Sequence, residues 1–150
     1  MKKVFFGCSM RWWYQNVSID ELAKIPNIIE WLWFQIASRH QTQNDWKEKE
    51  WSMENLSIHD RDYQRLQESD FWIFEISNPS LWVWWEISDM LNLWKPVLCL
   101  FKSWLEEVVS AYILWKKWSD FIRWKLEFRS YKDLNDTKNI ISEFVKENIE

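Results

Sequence analysis

The stretch FWIFEISNPSLWVWWEISDMLNLWKPVLCLF, residues Phe71 to Phe101, decides the fold class of this chain. Its two ends, Phe71–Ile76 and Pro96–Phe101, are short apolar runs typical of buried strands, and Val83–Leu93 between them has helical periodicity. Two strands joined through a helix by short connections run parallel in one sheet. The sequence therefore predicts a parallel sheet with this unit inside it.

The same alternation of strand and helix patterns continues on both sides of this unit. Further strand candidates are Val4–Cys8, Phe34–Ala37 and a last strand within Phe121–Phe128. Further helical patterns cover Ser18–Glu30, Met53–Ser69, Leu105–Leu114 and Leu134–Ile149, and Pro26 predicts a kink or a break in the first of them. We expect a single α/β domain, residues 1–150, with a Rossmann or flavodoxin-like parallel five-stranded sheet and helices on both faces.

In such folds, ligands bind beyond the carboxyl ends of the strands, near the point where the strand order reverses. Three segments follow predicted strands and deserve a search for functional residues. They are Ser9–Tyr14, Ser77–Glu86 and Lys102–Ser110.

The composition limits the classes of partner and compartment. The net charge of −4 and the lack of a basic stripe argue against a nucleic-acid polymer as partner. No apolar run approaches the length that spans a membrane, and the N-terminus runs directly into a strand without a signal peptide. Cys8 and Cys99 are expected to be reduced thiols of a cytoplasmic protein, and His40 and His59 share no metal-ligand spacing with them. We expect neither a metal nor another cofactor.

The chain has 15 tryptophans and one glycine, Gly7. At the ordinary usage of about 7%, about ten glycines are expected. Leu93-Trp94-Lys95-Pro96 and Glu30-Trp31-Leu32-Trp33-Phe34 place tryptophan after helical patterns, where a glycine in the left-handed conformation commonly ends the helix. We hypothesise that most of these tryptophans stand for glycines, as when UGA codons read as glycine in the source organism are translated as tryptophan. The alternative is a genuinely Trp-rich sugar-stacking or single-strand-binding protein.

The loop Cys8-Ser9-Met10-Arg11-Trp12-Trp13 follows the first strand. With glycine at its last two positions, it offers a hydroxyl, a guanidinium and free backbone amides, which suit a phosphate. It matches neither the Walker nor the Rossmann glycine pattern. A simple tight turn explains the residues equally well.

Two acidic residues are candidates for chemistry. Glu86 follows Asn78-Pro79-Ser80-Leu81-Trp82-Val83-Trp84-Trp85 near the start of a helical pattern, where the helix dipole favours the ionised form that a nucleophile requires. A glutamate at a helix start is also common without any such role. Asp62 shares a helix face with Leu66 and could point inward, although the spacing alone favours an exposed side chain.

Taken together, these segments resemble the 2′-deoxynucleoside 5′-phosphate N-hydrolases, within the nucleoside 2-deoxyribosyltransferase-like group. That family has a strand followed by G-S-I-R-G-G, a helix ending D-L-x-x-L-x-x-A-D, then P-S-L-G-V-G-x-E, a strand like I-L-C-L-F and a V-x-S-A helix. The corresponding segments here are Cys8–Trp13, Asp62–Asp70, Pro79–Glu86, Val97–Phe101 and Val108–Ala111. Trp82 and Trp84 fall on glycines of the most specific of these motifs, which supports the substitution hypothesis independently.

The resemblance implies hydrolysis of the N-glycosidic bond of a deoxynucleoside monophosphate to free base and deoxyribose 5-phosphate. It makes Glu86 the nucleophile that forms a glycosyl-enzyme intermediate, and Asp62 an acid, a base or a partner of the sugar hydroxyl. It implies a homodimer, in which Ser110 reaches the phosphate at the neighbouring subunit's site. The remaining substrate-binding residues that it implies are Ser9, Arg11 and Ser80 at the phosphate, His40 near the base, and the glycine positions occupied by Trp12, Trp13, Trp82 and Trp84. A structural histidine at a strand end explains His40 equally well.

The chain departs from the family at several of these places. Phe5 stands where the family usually has a tyrosine, and Cys8 stands where it has a glycine. The loop tryptophans, if real, fill the phosphate and sugar pockets, so the literal sequence is expected to fold poorly and to be inactive. Two alternatives remain open: a nucleoside 2-deoxyribosyltransferase that passes the sugar to another base, and a non-catalytic nucleotide-binding module. The transferases typically carry a D-S-G-T-type segment where this chain has Asn78-Pro79-Ser80-Leu81.

Overall fold

The computed structural model describes residues 1–9, 15–39, 53–107, 109 and 126–149. Within these ranges, five strands form one parallel sheet in the order β2-β1-β3-β4-β5. The strands are β1 (Lys3–Cys8), β2 (Gln35–Ile36), β3 (Phe71–Glu75), β4 (Val97–Lys102) and β5 (Leu126–Tyr131). This is the flavodoxin-like order, so the predicted fold class is confirmed, and the strand order reverses between β1 and β3.

Helices cover both faces of the sheet. They are α1 (Ile19–Leu22), α2 (Ile25–Trp31), α3 (Asn55–Glu68), α4 (Leu81–Asn92) and α5 (Leu134–Asn148), with a 3-10 turn at Ser103–Leu105. Pro26 lies in the first turn of α2, which explains why the first helical pattern is divided into two short helices.

Two apolar layers hold these helices on the sheet. On one face, Val4, Phe6 and Ile73 pack in a cluster with residues of α1, α2 and α5. On the other face, Phe5 and Phe74 pack with residues of α3 and α4. Neighbouring residues of a strand point to opposite faces, and both faces are covered, which is why the central strands are mostly apolar along their length.

Two tryptophans follow helix ends in the left-handed conformation. Trp33, after the end of α2, has φ 66°, and Trp94, after the end of α4, has φ 59°. Both backbone positions are therefore of the kind that the sequence pattern predicts, where glycine is favoured because it has no β-carbon to clash. Trp72 differs, because its side chain is fully buried and its indole nitrogen donates to the carbonyl oxygen of Leu66 at 3.0 Å.

The element boundaries differ from the sequence patterns in two places. Helix α4 begins at Leu81, two residues before the periodic pattern, because the hydroxyl of Ser80 caps it by accepting from the amide of Val83 at 3.3 Å. The last strand is β5 rather than a strand within 121–128. Among the described strands it is an edge strand paired on one side only, so polar residues are tolerated in it and the apolar-run criterion places it too early. Most of the helical pattern over 105–114 lies outside the described residues.

Candidate active site

The carboxyl ends of β1 and β3 lie side by side where the strand order reverses, and two of the three predicted segments meet there. Cys8 at the end of β1 pairs in register with Glu75 at the end of β3. Ser9 follows directly, is buried, and donates its hydroxyl hydrogen bond to the carbonyl oxygen of Pro79 at 3.2 Å. The loop from Ser77 to Ser80 therefore lies against the end of β1.

Glu86 projects from α4 toward this edge and is only 6% exposed. Its Oε1 accepts a hydrogen bond from the indole nitrogen of Trp82 at 2.9 Å. Because α4 begins at Leu81, Glu86 is its sixth residue and lies beyond the first turn. The helix thus starts earlier than the sequence pattern places it, and Glu86 lies outside the first turn, where the helix dipole acts most strongly on a charge.

Gly7 lies in β1 directly beneath the Glu86 carboxylate. A β-carbon at this position would lie 3.3 Å from Oε2 of Glu86 and 2.6 Å from a ring carbon of Phe74. The second distance is shorter than any ordinary contact, so a side chain here would displace either the ring or the strand. The chain's single glycine is thus required where β1 passes close to the candidate nucleophile.

Asp62 is buried in α3, at 3% exposed, so the exposed position that its spacing favours is wrong. Its carboxylate pairs with the guanidinium of Arg61, which donates from Nε at 2.9 Å and from Nη2 at 3.1 Å. Arg65 adds a longer contact from Nη1 at 3.5 Å. The burial of this carboxylate is thus compensated by charged partners, as buried acidic groups require.

A cavity of about 440 Å³ lies between α3 and α4 and brings the two carboxylates together. Pockets of this size hold small-molecule ligands. Tyr63 and His59 form one wall, with their rings stacked at 5.9 Å between centroids and 8° between planes. The lining residues are His59, Asp62, Tyr63, Leu66, Leu81, Trp82, Trp85, Glu86 and Asp89.

The other predicted site residues divide into three groups. Ser9 and Ser80 lie at the carboxyl edge but outside the set that lines this cavity. Trp84 packs against the apolar cluster beneath α4 instead of lining the cavity. The predicted residues Arg11, Trp12, Trp13, His40 and Ser110 lie outside the described residues.

A buried polar cluster surrounds Glu75, at the end of β3, and was not predicted from the sequence. The Glu75 carboxylate accepts hydrogen bonds from the amide of Ser77 at 3.2 Å, from the Ser77 hydroxyl, and from the hydroxyl of Tyr131 at 3.1 Å. Burial raises the pKa of Glu75 to about 7, although these hydrogen bonds and the charge of Lys102 act in the opposite direction. The one charged residue in the apolar run Phe71–Ile76 is the sequence feature from which this buried carboxylate could have been predicted.

The same cluster keeps two further groups protonated. Burial raises the pKa of the Tyr131 hydroxyl, and the nearby Glu75 charge raises it further. Burial likewise raises the pKa of the Cys8 thiol, and the charges of Glu75 and Glu86 add to this effect. The raised pKa favours the neutral form of the Cys8 thiol, which is a poor nucleophile.

Phe5 lies in β1 at the position where the family usually has a tyrosine, and it has no hydroxyl. It is fully buried and contacts Phe74 with ring centroids 6.1 Å apart. Arginine side chains pair with Asp62 instead.

Across the described ranges, no group of three or more His, Cys, Asp or Glu side chains is arranged to hold a metal ion. No helix in those ranges combines the length and the apolar character needed to cross a membrane.

Comparisons with known proteins converge on one group. No protein-family model matches the sequence. The chain is 30% identical over 145 residues to the putative 2′-deoxynucleoside 5′-phosphate N-hydrolase 1 of Methanosarcina mazei, covering 97% of this chain and 84% of that protein. It is 41% identical over 56 residues to the 5-hydroxymethyl-dUMP N-hydrolase of Rattus norvegicus, covering 37% of this chain and 34% of the rat protein. The match thus spans about a third of that relative's length.

The fold has a counterpart among solved structures. The CMP N-glycosidase BcmB of Clostridium botulinum superposes with a TM-score of 0.64 at 14% identity, covering 95% of this chain and 99% of that one. At this identity the likeness establishes the shared fold.

Proposed function

Because this chain belongs to the 2′-deoxynucleoside 5′-phosphate N-hydrolase family, we propose that it hydrolyses the N-glycosidic bond of a 2′-deoxynucleoside 5′-monophosphate. The products are the free base and deoxyribose 5-phosphate. The observation that carries the proposal is the pair of buried carboxylates, Asp62 and Glu86, that line one cavity at the strand-order reversal. Two carboxyl groups at one sugar site are the general requirement for glycosidic bond cleavage.

In the proposed reaction, a carboxylate oxygen of Glu86 attacks the anomeric carbon, and the bond from that carbon to the base nitrogen breaks. The base takes up a proton as it leaves, and the sugar remains as an ester of Glu86. Water then attacks the same carbon, releasing the carboxylate and leaving a hydroxyl on the sugar, and the proton that water loses replaces the one that the base took up. Asp62 assists as acid or base, or accepts a hydrogen bond from a sugar hydroxyl.

The 5′-phosphate is assigned to Ser9, Arg11 and Ser80. Support comes from the position of Ser80 at the N-terminus of α4, where backbone amides and the helix dipole favour an anion. The Ser9 hydroxyl donates to the carbonyl oxygen of Pro79, the residue before Ser80, so the two serines lie near each other at the carboxyl edge of the sheet. No metal or other cofactor enters this scheme.

The tryptophans of α4 bear directly on this proposal. Trp82 donates to the oxygen Oε1 that Glu86 needs for attack, and Trp82 and Trp85 both line the cavity. We therefore assign the activity to the chain with glycine at five tryptophan positions, two in the segment after β1 and three in the first turns of α4. The reverted chain, used in the experiments below, carries W12G, W13G, W82G, W84G and W85G.

The test is product analysis by chromatography for both the literal and the reverted chain. Each is incubated with deoxynucleoside monophosphates, including 5-hydroxymethyl-dUMP, and with CMP. We expect the reverted chain to bind nucleotide by calorimetry and to release free base, and the literal chain to do neither. Glu86→Gln should abolish turnover and keep binding, whereas Glu106→Gln, the same change at an exposed position, should leave both intact.

The same assay separates the two alternatives. A deoxyribosyltransferase would form a new nucleotide when an acceptor base is added, and would release little free base without one. A nucleotide-binding module would bind the monophosphate without any turnover in the reverted chain. Failure of the reverted chain to bind any nucleotide would overturn the site assignment itself.

A further inference from the structure

The loop after β3 is joined to the returning end of the loop after β1 by one buried side chain, Asn78. Its Oδ1 accepts hydrogen bonds from the backbone amides of Asn16 at 2.8 Å and Val17 at 3.0 Å. Its Nδ2 donates to the carbonyl oxygen of Val17 at 2.8 Å. Asn78 is 2% exposed, so these bonds are shielded from water. The Asn16 side chain returns a bond from Nδ2 to the carbonyl oxygen of Ser77 at 2.8 Å.

The chemistry of this contact is specific to an amide side chain. It needs an acceptor for two N–H groups and a donor for one carbonyl, and asparagine supplies both within a short side chain. An aspartate keeps the acceptor but loses the donor. An alanine leaves three backbone groups of residues 16 and 17 without the partner they have in the buried loop.

The loop after β3 is also fastened to the sheet on its other side. The hydroxyl of Ser77 accepts from the amide of Lys102 at 2.8 Å and itself bonds to the Glu75 carboxylate. The loop therefore has a fixed base on β3 and β4, and Asn78 attaches the β1 loop to that base. A second link, from the Ser9 hydroxyl to Pro79, ties the beginning of the β1 loop to the same residues.

We propose that Asn78 is a positioning residue that sets the separation between Ser9 and Ser80, and that it thereby determines the preference for a 5′-phosphorylated substrate over the bare nucleoside. This inference rests on the proposed function. Asn78 directly precedes Pro79, which accepts from Ser9, and comes two residues before Ser80, but its own polar atoms are occupied by backbone groups. It therefore acts through the loops it joins and does not touch the substrate.

The experiment compares phosphorylated and unphosphorylated substrates in the reverted chain. Values of kcat/KM are measured for a deoxynucleoside monophosphate and for the matching deoxynucleoside, together with the inhibition constant of inorganic phosphate. Asn78→Ala should lower kcat/KM for the nucleotide by roughly 10- to 100-fold, mainly through KM, and weaken phosphate inhibition similarly. The nucleoside, which has no phosphate to position, should change by no more than about threefold. Asn78→Asp should fall between.

The matched control is Asn92→Ala, the same change at an exposed position of α4. It should leave all three quantities at parental values. Equal losses for nucleotide and nucleoside in Asn78→Ala would mean that Asn78 supports the fold in general, and would overturn the inference. If Asn78→Ala keeps the parental kcat/KM for both substrates and the parental inhibition by phosphate, the inference is also overturned, while the proposed function stands.

If the reverted chain has no turnover, hydrogen exchange gives a second test of the role of Asn78. Amide hydrogen exchange at Asn16 and Val17 should accelerate at least tenfold in Asn78→Ala, and phosphate should slow this exchange in the parent but not in the variant. Absence of turnover in the parent counts against the proposed function. Unchanged exchange at these two amides counts against the role of Asn78.

Discussion

At the residue scale, the backbone conformation separates the tryptophans into two kinds. Trp33 and Trp94 have positive φ angles and side chains that are 82% and 66% exposed. A tryptophan is strained at such a position, because its β-carbon crowds the following carbonyl. Trp72 is fully buried with its indole nitrogen bonded. The glycine hypothesis therefore applies to the first two positions and not to Trp72.

Trp33→Gly and Trp94→Gly should each raise the free energy of unfolding by about 1 kcal/mol, because glycine adopts the left-handed conformation without strain. The measurement is urea denaturation followed by circular dichroism. Trp85→Gly is the matched control, since Trp85 is also exposed, at 71%, but is the fifth residue of α4. It should lower stability by about 1 kcal/mol, because glycine weakens a helix interior. Equal effects at all three positions would contradict the backbone argument.

The gene offers a direct check of the same division. If the hypothesis holds, the codons at positions 33 and 94 are UGA and the codon at Trp72 is UGG. The natural protein should then have the intact mass of a glycine-containing chain. A mass that matches fifteen tryptophans contradicts the hypothesis.

At the element scale, the carboxyl ends of β3, β4 and β5 are tied together around Glu75. Tyr131, the last residue of β5, donates to Glu75, and the backbone of Lys102, the last residue of β4, donates to Ser77. The Lys102 ammonium pairs with Glu21 of α1 and donates to the carbonyl oxygen of Lys132 at 3.2 Å. The cost of burying Glu75 in this cluster depends on its protonation.

The pH dependence of stability should reveal this cost. Burial raises the pKa of Glu75 from 4.5 to about 7, so between these values the folded chain keeps a proton that the unfolded chain has lost. The free energy of unfolding therefore falls as pH rises through this window, and the fall ends above pH 7. At about 1.4 kcal/mol for each pKa unit, the full effect is roughly 3 kcal/mol.

Glu75→Gln should remove this fall, because the amide stays neutral and can still accept from Ser77. Urea denaturation of the parent and the variant between about pH 5 and about pH 8 gives the comparison, and the variant should gain relative stability as pH rises. Glu106→Gln, at an exposed site, should show a constant difference from the parent. A constant difference for Glu75→Gln too would mean that Glu75 ionises normally in the folded chain.

At the scale of the whole molecule, we propose a homodimer in which Ser110 completes the phosphate site of the neighbouring subunit. The supporting observation is the exposure of large apolar side chains at the rim of the cavity and on the helix beside it. Leu81 is 87% exposed at the start of α4, and Leu56 is 68% exposed on α3. Exposed apolar groups on neighbouring elements favour a covering partner.

Subunit mixing in the reverted chain tests this arrangement. Ser110→Ala should weaken nucleotide binding, and Glu86→Gln should abolish turnover. At a nucleotide concentration too low to fill the weakened Ser110→Ala site, both variants have little activity. In a symmetric dimer, mixing them should then give roughly a quarter of the parental activity, because half of the dimers are mixed and each mixed dimer has one site with both residues intact. Sedimentation measures the assembly. No recovery in mixed dimers would contradict the contribution of Ser110 across the interface.

Local patterns determined much of this protein. The apolar runs of β1, β3 and β4 and the periodicity of α3 and α5 depend on residues close in sequence, so the fold class and most elements could be predicted. The same holds for Trp33 and Trp94, because a helix end is a local event. The strand β5 was placed too early in the sequence, because an edge strand can contain polar residues and β5 therefore has no continuous apolar run.

Only the tertiary structure decided how the candidate site is assembled. Whether Asp62 faces water or the cavity depends on the packing of α3 against α4, and spacing within one helix cannot settle that. Glu75 and Tyr131 are 56 residues apart, and Asn78 and Val17 are 61 apart. Such contacts form only when the sheet brings the carboxyl ends of its strands to one edge. The sequence by itself determined the strands, the helices and the candidate carboxylates; the fold decided which polar groups are buried together, because burial is a property of the assembled chain.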